Sequence, residues 1–174
     1  MIQRVKQVVA AFTATIAYGD RQFVSSHLSE REETLFWGMN LPDQRHALNV
    51  AYTAIDLAGE APHINKELLI RCALLHDVGK KKGDVSTGDK IAAVLCHAVA
   101  PRWMKSWARL GRGNSIANLR HAFYIYLNHA SRSAEMLETL GLTAEAAIVA
   151  CHHESGSPGE APELTLLRKA DDLN

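Results

Sequence analysis

Cysteine is scarce in this sequence of 174 residues, which contains only three. The three, at Cys72, Cys96 and Cys151, lie far apart inside apolar stretches. An odd number of cysteines without close spacing argues against a disulfide framework and against a zinc site built from thiolates. Any metal chemistry must therefore use other side chains.

Long apolar runs are also missing. No stretch of 18 or more apolar residues occurs, which excludes a helix that spans a bilayer. The apolar N-terminal segment carries Arg4 and Lys6 and lacks a small-residue cleavage site. It is predicted to form an amphipathic helix over 2–18 rather than a signal peptide. We therefore expect a cytoplasmic protein without a transmembrane segment.

Neither sign of charge is in excess, because 19 Lys and Arg residues balance 19 Asp and Glu residues. No overall field favours nucleic acid, and no nucleic-acid partner is expected. The segment 80–120 is different, with nine basic residues against two aspartates. This basic segment suits a phosphorylated substrate or an anionic surface, although a solvated loop and helix face would look the same.

Period-two alternation typical of half-buried strands is absent, and nearly every segment has helical periodicity. The sequence therefore predicts a single-domain, all-α helical bundle. Capping residues, a starting proline and terminal glycines mark the helix ends. The region 115–140 is predicted to form two helices or one kinked helix. The other predicted helices cover 2–18, 29–37, 42–57, 66–75, 89–99 and 143–153, with further helices opening at Pro101 and Pro162.

Two polar doublets follow apolar helices. His76-Asp77 follows the apolar run 68–75, and Gly79 places the doublet in the last helical turn. His152-His153 ends the second apolar run in the same way. An ionised aspartate in apolar surroundings is costly unless something compensates its charge, and the exposed carbonyls of a helix end also favour a cation. The doublets thus indicate a metal site.

Imidazole and carboxylate ligands suit iron, manganese, zinc and similar divalent ions. A carboxylate can bridge two ions, and we assign that role to Asp77. Two ions about 3.5–4 Å apart can activate water and stabilise both the entering and the leaving oxygen of a phosphoryl group. The pattern therefore points to hydrolysis at phosphorus.

The order of the motifs resembles the HD superfamily of metal-dependent phosphohydrolases, in particular its dinuclear branch. The matching residues are Arg45-His46, His76-Asp77-Val78-Gly79-Lys80, His129, His152-His153-Glu154 and Ala170-Asp171. The resemblance covers 42–174, with 1–41 as an N-terminal helical extension and 80–120 as a basic insert in the HD core. The HD-type symmetrical dinucleoside tetraphosphatases share this ligand order. His153 resembles the second histidine of the HD-GYP branch, but no Gly-Tyr-Pro follows Glu154, which disfavours cyclic-di-GMP cleavage.

The resemblance implies two metal positions. The first would be held by His46, His76, Asp77 and Asp171, with Asp171 preferred over its neighbour Asp172. The second would be held by the bridging Asp77 together with His129 and His152. Iron or manganese is the favoured metal, in one or two copies, and magnesium, zinc, nickel and cobalt are further candidates. The remaining histidines have no motif partner and are predicted not to be metal ligands: His27, His63, His97 and His121.

The catalytic residues implied are Asp77, Lys80 and His153. Lys80 would neutralise phosphate oxygens and His153 would assist the leaving group, while Arg132 is a second substrate-binding candidate beside Lys80. The expected reaction is cleavage of a phosphoester or phosphoanhydride of a nucleotide-like substrate by metal-activated water. Two alternatives stay open: a di-iron HD-type oxygenase, and a non-catalytic nucleotide-binding HD domain.

A small phosphorylated molecule, in particular a nucleotide, is the expected partner. Trp103 and Trp107 lie four residues apart among basic residues, which suits a substrate lid, ordinary packing or an interfacial patch. Weak contact of 101–112 with a membrane surface is therefore a further expectation. The oligomeric state is left open, a dimer included.

Overall fold

The computed structural model describes residues 14–59 and 61–174 of the chain. Within these residues all regular structure is helical, and no strand occurs apart from an isolated bridge between Met39 and Lys81. The helices are α1 (Tyr18–His27), α2 (Glu30–Trp37), α3 (Leu41–Ala58), α4 (Lys66–Leu75), α5 (Thr87–Val99), α6 (Pro101–Trp107), α7 (Ser115–Thr139), α8 (Thr143–Ala150) and α9 (Pro162–Leu173). The predicted all-α, single-domain class is confirmed.

Local sequence signals explain most helix starts. The side-chain oxygen of Asn65 accepts a hydrogen bond from the Leu68 N–H at the start of α4. Asn114 does the same for the Ala117 N–H at the start of α7. Both satisfy a backbone donor that has no partner inside the helix. Helix α3 begins with proline near its first position and ends before Gly59, which has a φ of 49°.

Three predicted boundaries differ from the structure. Most of the predicted helix 2–18 lies outside the described residues, and 14–17 are not helical; α1, which begins at Tyr18, was not predicted. The region 115–140 forms one continuous helix. Thr143 is the first residue of α8 rather than its cap, and α8 ends at Ala150 instead of 153.

Helix α4 lies at the centre of the main core. Its side chains Leu69, Ala73 and Leu74 are fully buried, and the helix packs against α1, α2, α3, α8 and α9. Helix α3 presents the small residues Ala47 and Ala51 to the core, which allows its backbone to approach α4 closely. This arrangement brings the C-terminal end of α4 into the middle of the bundle.

The basic segment forms a second, smaller apolar cluster on α7. Its buried members are Ala93 of α5, Met104 of α6 and Phe123 of α7. The other half of α7 contributes Ala134 and Leu137 to the main core. Helix α7 therefore belongs to both clusters and joins them. Among the described residues, none of the helices is both long and apolar enough to cross a bilayer.

Candidate metal centre

The structure brings the six predicted metal ligands together from five parts of the chain. His76 and Asp77 lie in the turn after α4, and His152 lies in the turn after α8. His46 lies on α3, His129 on α7 and Asp171 on α9. Candidate ligand atoms of these residues fall into three overlapping groups, within each of which all atoms lie within 4.8 Å of one another.

The first group consists of His46, His76 and Asp171. The His46 Nε2 atom lies 2.9 Å from Asp171 Oδ1, and the His76 Nε2 atom lies 3.8 Å from the same oxygen. Asp171 thus lies beside His76 although 94 residues separate them in sequence. Asp172, its neighbour in sequence, belongs to none of the three groups.

The other two groups share His152. One joins it to His76 and Asp77, and the other joins it to His129 and His153. Asp77 lies between them, because its Oδ2 is 3.5 Å from His76 Nε2 and its Oδ1 is 3.4 Å from His129 Nε2. The two carboxylate oxygens therefore face different histidines, the arrangement that a bridging ligand requires.

The three buried histidines are held in the same way. The Nδ1 atoms of His76, His129 and His152 lie 2.8, 2.7 and 2.6 Å from the carbonyl oxygens of Ala73, Tyr126 and Val149. Because a carbonyl oxygen can only accept, each Nδ1 must carry the proton. In the neutral form of each ring the lone pair then resides on Nε2, the atom directed toward the other candidate ligands.

Buried polar atoms without hydrogen-bond partners meet at this point. Within the described part of the chain, His76 Nε2, His152 Nε2 and Asp77 Oδ1 are buried and make no hydrogen bond. Unsatisfied buried polar atoms cost free energy, so a cluster of them needs an explanation. A divalent cation would satisfy all three at once, and their nitrogen and carboxylate chemistry fits such an ion.

The electrostatics also favour a cation. Burial lowers the pKa of His129 well below its usual range and, together with the charge on His76, lowers the pKa of His152 to about 3. Burial would raise the pKa of Asp77, but Lys80 and His76 hold it well below its usual range. Burial would lower the pKa of His76, but Asp77 raises it to about 9, so this ring holds a proton at Nε2 that a bound cation would replace. Asp77 is thus ionised, and the rings of His129 and His152 are neutral and able to donate electron pairs.

Lys80 is next to Asp77 in space as well as in sequence. Its Nζ atom lies 2.7 Å from Asp77 Oδ2, and burial, which would lower its pKa, is outweighed by Asp77 and Asp43, which raise it. The ammonium group is therefore charged at the edge of the site. Arg132, the other predicted substrate-binding residue, pairs instead with Asp84 at 2.8 Å.

The position of His153 adds to what the sequence indicated. Its side chain is exposed, yet its Nε2 lies 2.7 Å from His129 Nε2. Since the Nε2 of neutral His129 carries a lone pair, the Nε2–H of His153 must donate in this contact. His153, predicted only as a proton donor, thus also lies within ligand distance of His129 and His152.

Gly79 and Ser133 set the distance between the turn after α4 and helix α7. The Gly79 N–H donates to Ser133 Oγ at 2.8 Å, and a Cβ on Gly79 would lie 2.4 Å from the backbone oxygen of His129. Ser133 was not identified from the sequence. The available signal was its spacing, because a residue four positions after His129 lies on the same helix face.

The four histidines predicted not to be ligands lie in none of the three groups. Among them, His27 contacts Glu67 at 2.9 Å and His97 contacts Tyr126 at 3.4 Å. Their neighbours are thus different from those of the site histidines.

Comparison with known proteins gave one match. The family model described as "HD domain" matches residues 44–174 of the chain, which include all six predicted ligands. No curated protein and no solved structure matched.

Proposed function

Because the chain belongs to the HD domain family, whose members are generally metal-dependent phosphohydrolases, we propose that it hydrolyses a phosphoester or phosphoanhydride bond of a nucleotide-like substrate. The observation that carries the proposal is the convergence of buried polar atoms without hydrogen-bond partners on His76, Asp77 and His152. Groups of this kind suit a cation that works on an anionic substrate.

Two metal positions fit the residues present. His46, His76, Asp77 and Asp171 would hold one ion, and Asp77, His129 and His152 would hold the other, with His153 as an additional neighbour. Iron or manganese is proposed, because the donors are nitrogen and carboxylate oxygen without thiolate. When bound, such ions supply Lewis-acid activation of water and neutralise phosphoryl charge.

The chain's own residues supply position and proton transfer. Asp77 orients both halves of the site, since its two oxygens face His76 and His129. The Lys80 ammonium group lies at the edge of the site on a flexible stem, so it can move from Asp77 to a phosphate oxygen. His153 holds a proton at Nε2 and is exposed, which places a donor where a leaving group can depart.

A cavity of about 150 Å³ beside Lys80 provides room for the organic part of the substrate. Its wall includes Lys80, Ala93 of α5, and Ala122 and Tyr126 of α7. A cavity of this volume holds about one aromatic ring. We therefore assign it to a single ring of a nucleotide, with the phosphate on the side of Lys80. Filling it by Ala122→Leu should raise KM for the nucleotide, whereas Ala98→Leu at an exposed position of α5 should not.

The test combines metal analysis with a substrate panel. Protein stripped by chelator and reloaded with manganese or iron(II) should release phosphate or nucleotide from at least one nucleoside phosphate or dinucleoside polyphosphate. The neighbours Asp171 and Asp172 provide a matched pair, and only Asp171→Ala should lose bound metal and activity. Metal-loaded protein that hydrolyses nothing but consumes oxygen would contradict the proposal and favour the di-iron oxygenase.

A further inference from the structure

The stretch between Asp89 and Glu135 contains no acidic residue. Seven basic residues lie in it: Lys90, Arg102, Lys105, Arg109, Arg112, Arg120 and Arg132. In a chain of zero net charge, this concentrates positive charge on α5, α6, α7 and the loop between α6 and α7. The opposite charge must be carried by other regions of the molecule.

Four of these basic side chains are engaged within the protein. Lys90 pairs with Asp43 and Arg132 pairs with Asp84. Arg112 donates to the carbonyl oxygen of Gly83, and Arg120 donates to that of Trp107. These contacts attach the segment to the rest of the fold and leave the other three basic residues to be explained.

The other three are Arg102, Lys105 and Arg109, and all are exposed. Their side chains make no ion pair or hydrogen bond with any residue that the structure describes. Arg102 and Lys105 lie on α6, and Arg109 follows it directly. They form a basic cluster available to an anionic partner.

Exposed apolar side chains accompany this cluster. Of the eight large hydrophobic residues that are exposed in the described part of the chain, five lie between positions 95 and 116. Val99 is 86% exposed and Trp103 is 50% exposed. Grouped exposed apolar residues of this kind mark interaction sites more often than single ones do. The five are Leu95, Val99, Trp103, Leu110 and Ile116.

Helix α5 has two apolar faces with different surroundings. Ala93 and Val94 line the cavity beside Lys80 on the inner face. Leu95 and Val99 lie one turn apart on the outer face, in contact with solvent. Trp103 is held in place on the neighbouring helix, because its ring stacks on Trp107 at 5.0 Å and meets the edge of Phe123.

We propose that α5, α6 and the loop to α7 form a docking surface for an anionic lipid bilayer. Leu95, Val99 and Trp103 would enter the boundary between headgroups and acyl chains, where tryptophan is favoured. Arg102, Lys105 and Arg109 would contact lipid phosphates. This surface is separate from the metal centre, so its role does not depend on the proposed catalytic function.

The composition of the surface favours a bilayer over other anionic or apolar partners. A nucleic acid would use the basic residues but would gain little from exposed aliphatic side chains such as Leu95 and Val99. A symmetric contact with a second copy of the chain would cover the apolar residues but would bring the two basic clusters together, where like charges repel. An anionic bilayer satisfies both kinds of side chain.

Cosedimentation of the full chain with lipid vesicles tests the proposal. Vesicles of equal parts phosphatidylcholine and phosphatidylglycerol should bind on the order of 100-fold more tightly than phosphatidylcholine alone, at roughly fivefold for each of the three free basic residues. Added salt should weaken the binding, because it screens the basic cluster. Equal binding to both kinds of vesicle, or to neither, would overturn the proposal.

Matched variants identify the part of the chain responsible. Trp103→Ser and Arg102→Gln/Lys105→Gln should each lose at least about tenfold in binding to the anionic vesicles. Tyr18→Ser and Arg31→Gln/Lys169→Gln, at exposed positions elsewhere, should bind as the unchanged chain does. If the first two variants bind normally, another part of the chain is responsible and the proposal is wrong.

Binding to single-stranded RNA without vesicle binding would indicate a nucleic-acid partner instead of a bilayer. A dimer that is lost in Trp103→Ser would indicate a second copy of the chain as the partner.

Discussion

Substituting Gly79 by alanine tests how closely the turn after α4 must approach α7. The added Cβ would lie 2.4 Å from the backbone oxygen of His129 and 2.9 Å from the backbone nitrogen of Ser133. Ordinary contacts begin at 3.4 Å, so the turn must move by 1.0 Å relative to that oxygen. Both obstacles are backbone atoms of a helix and cannot rotate aside as a side-chain end would.

The cost follows from these distances. Overpacking of this kind costs about 1–3 kcal/mol. The same movement weakens the hydrogen bond from Gly79 to Ser133, which contributes about 0.5–1.5 kcal/mol. The free energy of unfolding of Gly79→Ala should therefore fall by about 2–4 kcal/mol. Because Asp77 moves with the turn, its 3.4 Å approach to His129 is lost, and metal affinity should fall as well.

Urea denaturation followed by circular dichroism measures the first effect, and titration with manganese measures the second. Gly19→Ala is the matched control, because no described heavy atom lies within 4 Å of the added Cβ. Helix α1 should be unchanged or stabilised by up to about 1 kcal/mol in this variant. If Gly79→Ala retained both the stability and the metal affinity of the unchanged chain, the role assigned to Gly79 would be refuted.

Three further predictions concern the site and the core. Asp77→Asn should lower kcat/KM by more than about 100-fold, since even residues that only hydrogen-bond to metal ligands contribute up to that much. The far-UV circular dichroism spectrum should be unchanged, and retained activity would rule out the bridging role of Asp77. Lys80→Ala should lower kcat at constant metal content if the ammonium stabilises the transition state, whereas a raised KM alone would restrict it to binding. Burial would raise the pKa of Glu32, but the Ser29 N–H and Arg71 outweigh it and lower the pKa. The ionised Glu32 carboxylate therefore stabilises the fold at neutral pH, and this stabilisation is lost as pH falls through and below about 4.5. Urea denaturation at several pH values should show a weaker acid dependence for Glu32→Gln, and an identical dependence would contradict this.

Much of the helical framework could be predicted because its signals are local. Asn65 caps α4, Gly59 follows α3, and Pro162 opens α9, each by an interaction within a few residues. Helix α1 lacked a capping oxygen, since Ala17 precedes it, and its local signal is instead Asp20, whose Oδ2 accepts from the Ala17 N–H. The sequence does not mark the end of α8 at Ala150, because no glycine or proline follows before Gly156; Cys151 leaves the helical conformation with φ −101° and ψ 3°.

The candidate ligands could be chosen from the sequence for a different reason. The doublets at His76 and His152 were visible because polar residues interrupted apolar runs. The distant partner Asp171 came from the order of motifs in a known family, since residue chemistry alone does not reveal which helices meet. Ser133 and the close contact of His153 with His129 could not be predicted, because both depend on how α7 is placed against two turns.

Helix α7 is one uninterrupted element of 25 residues, with His129 between the part that enters the small cluster and the part that enters the main core. Phe123, in the small cluster, lies only about 9 Å along the axis from His129. Because α7 is continuous between these two residues, a shift of its first half is expected to move His129 as well. We therefore expect a displacement of the α5–α6 surface to be passed along α7 to His129, so that the geometry of the centre would respond to what that surface contacts.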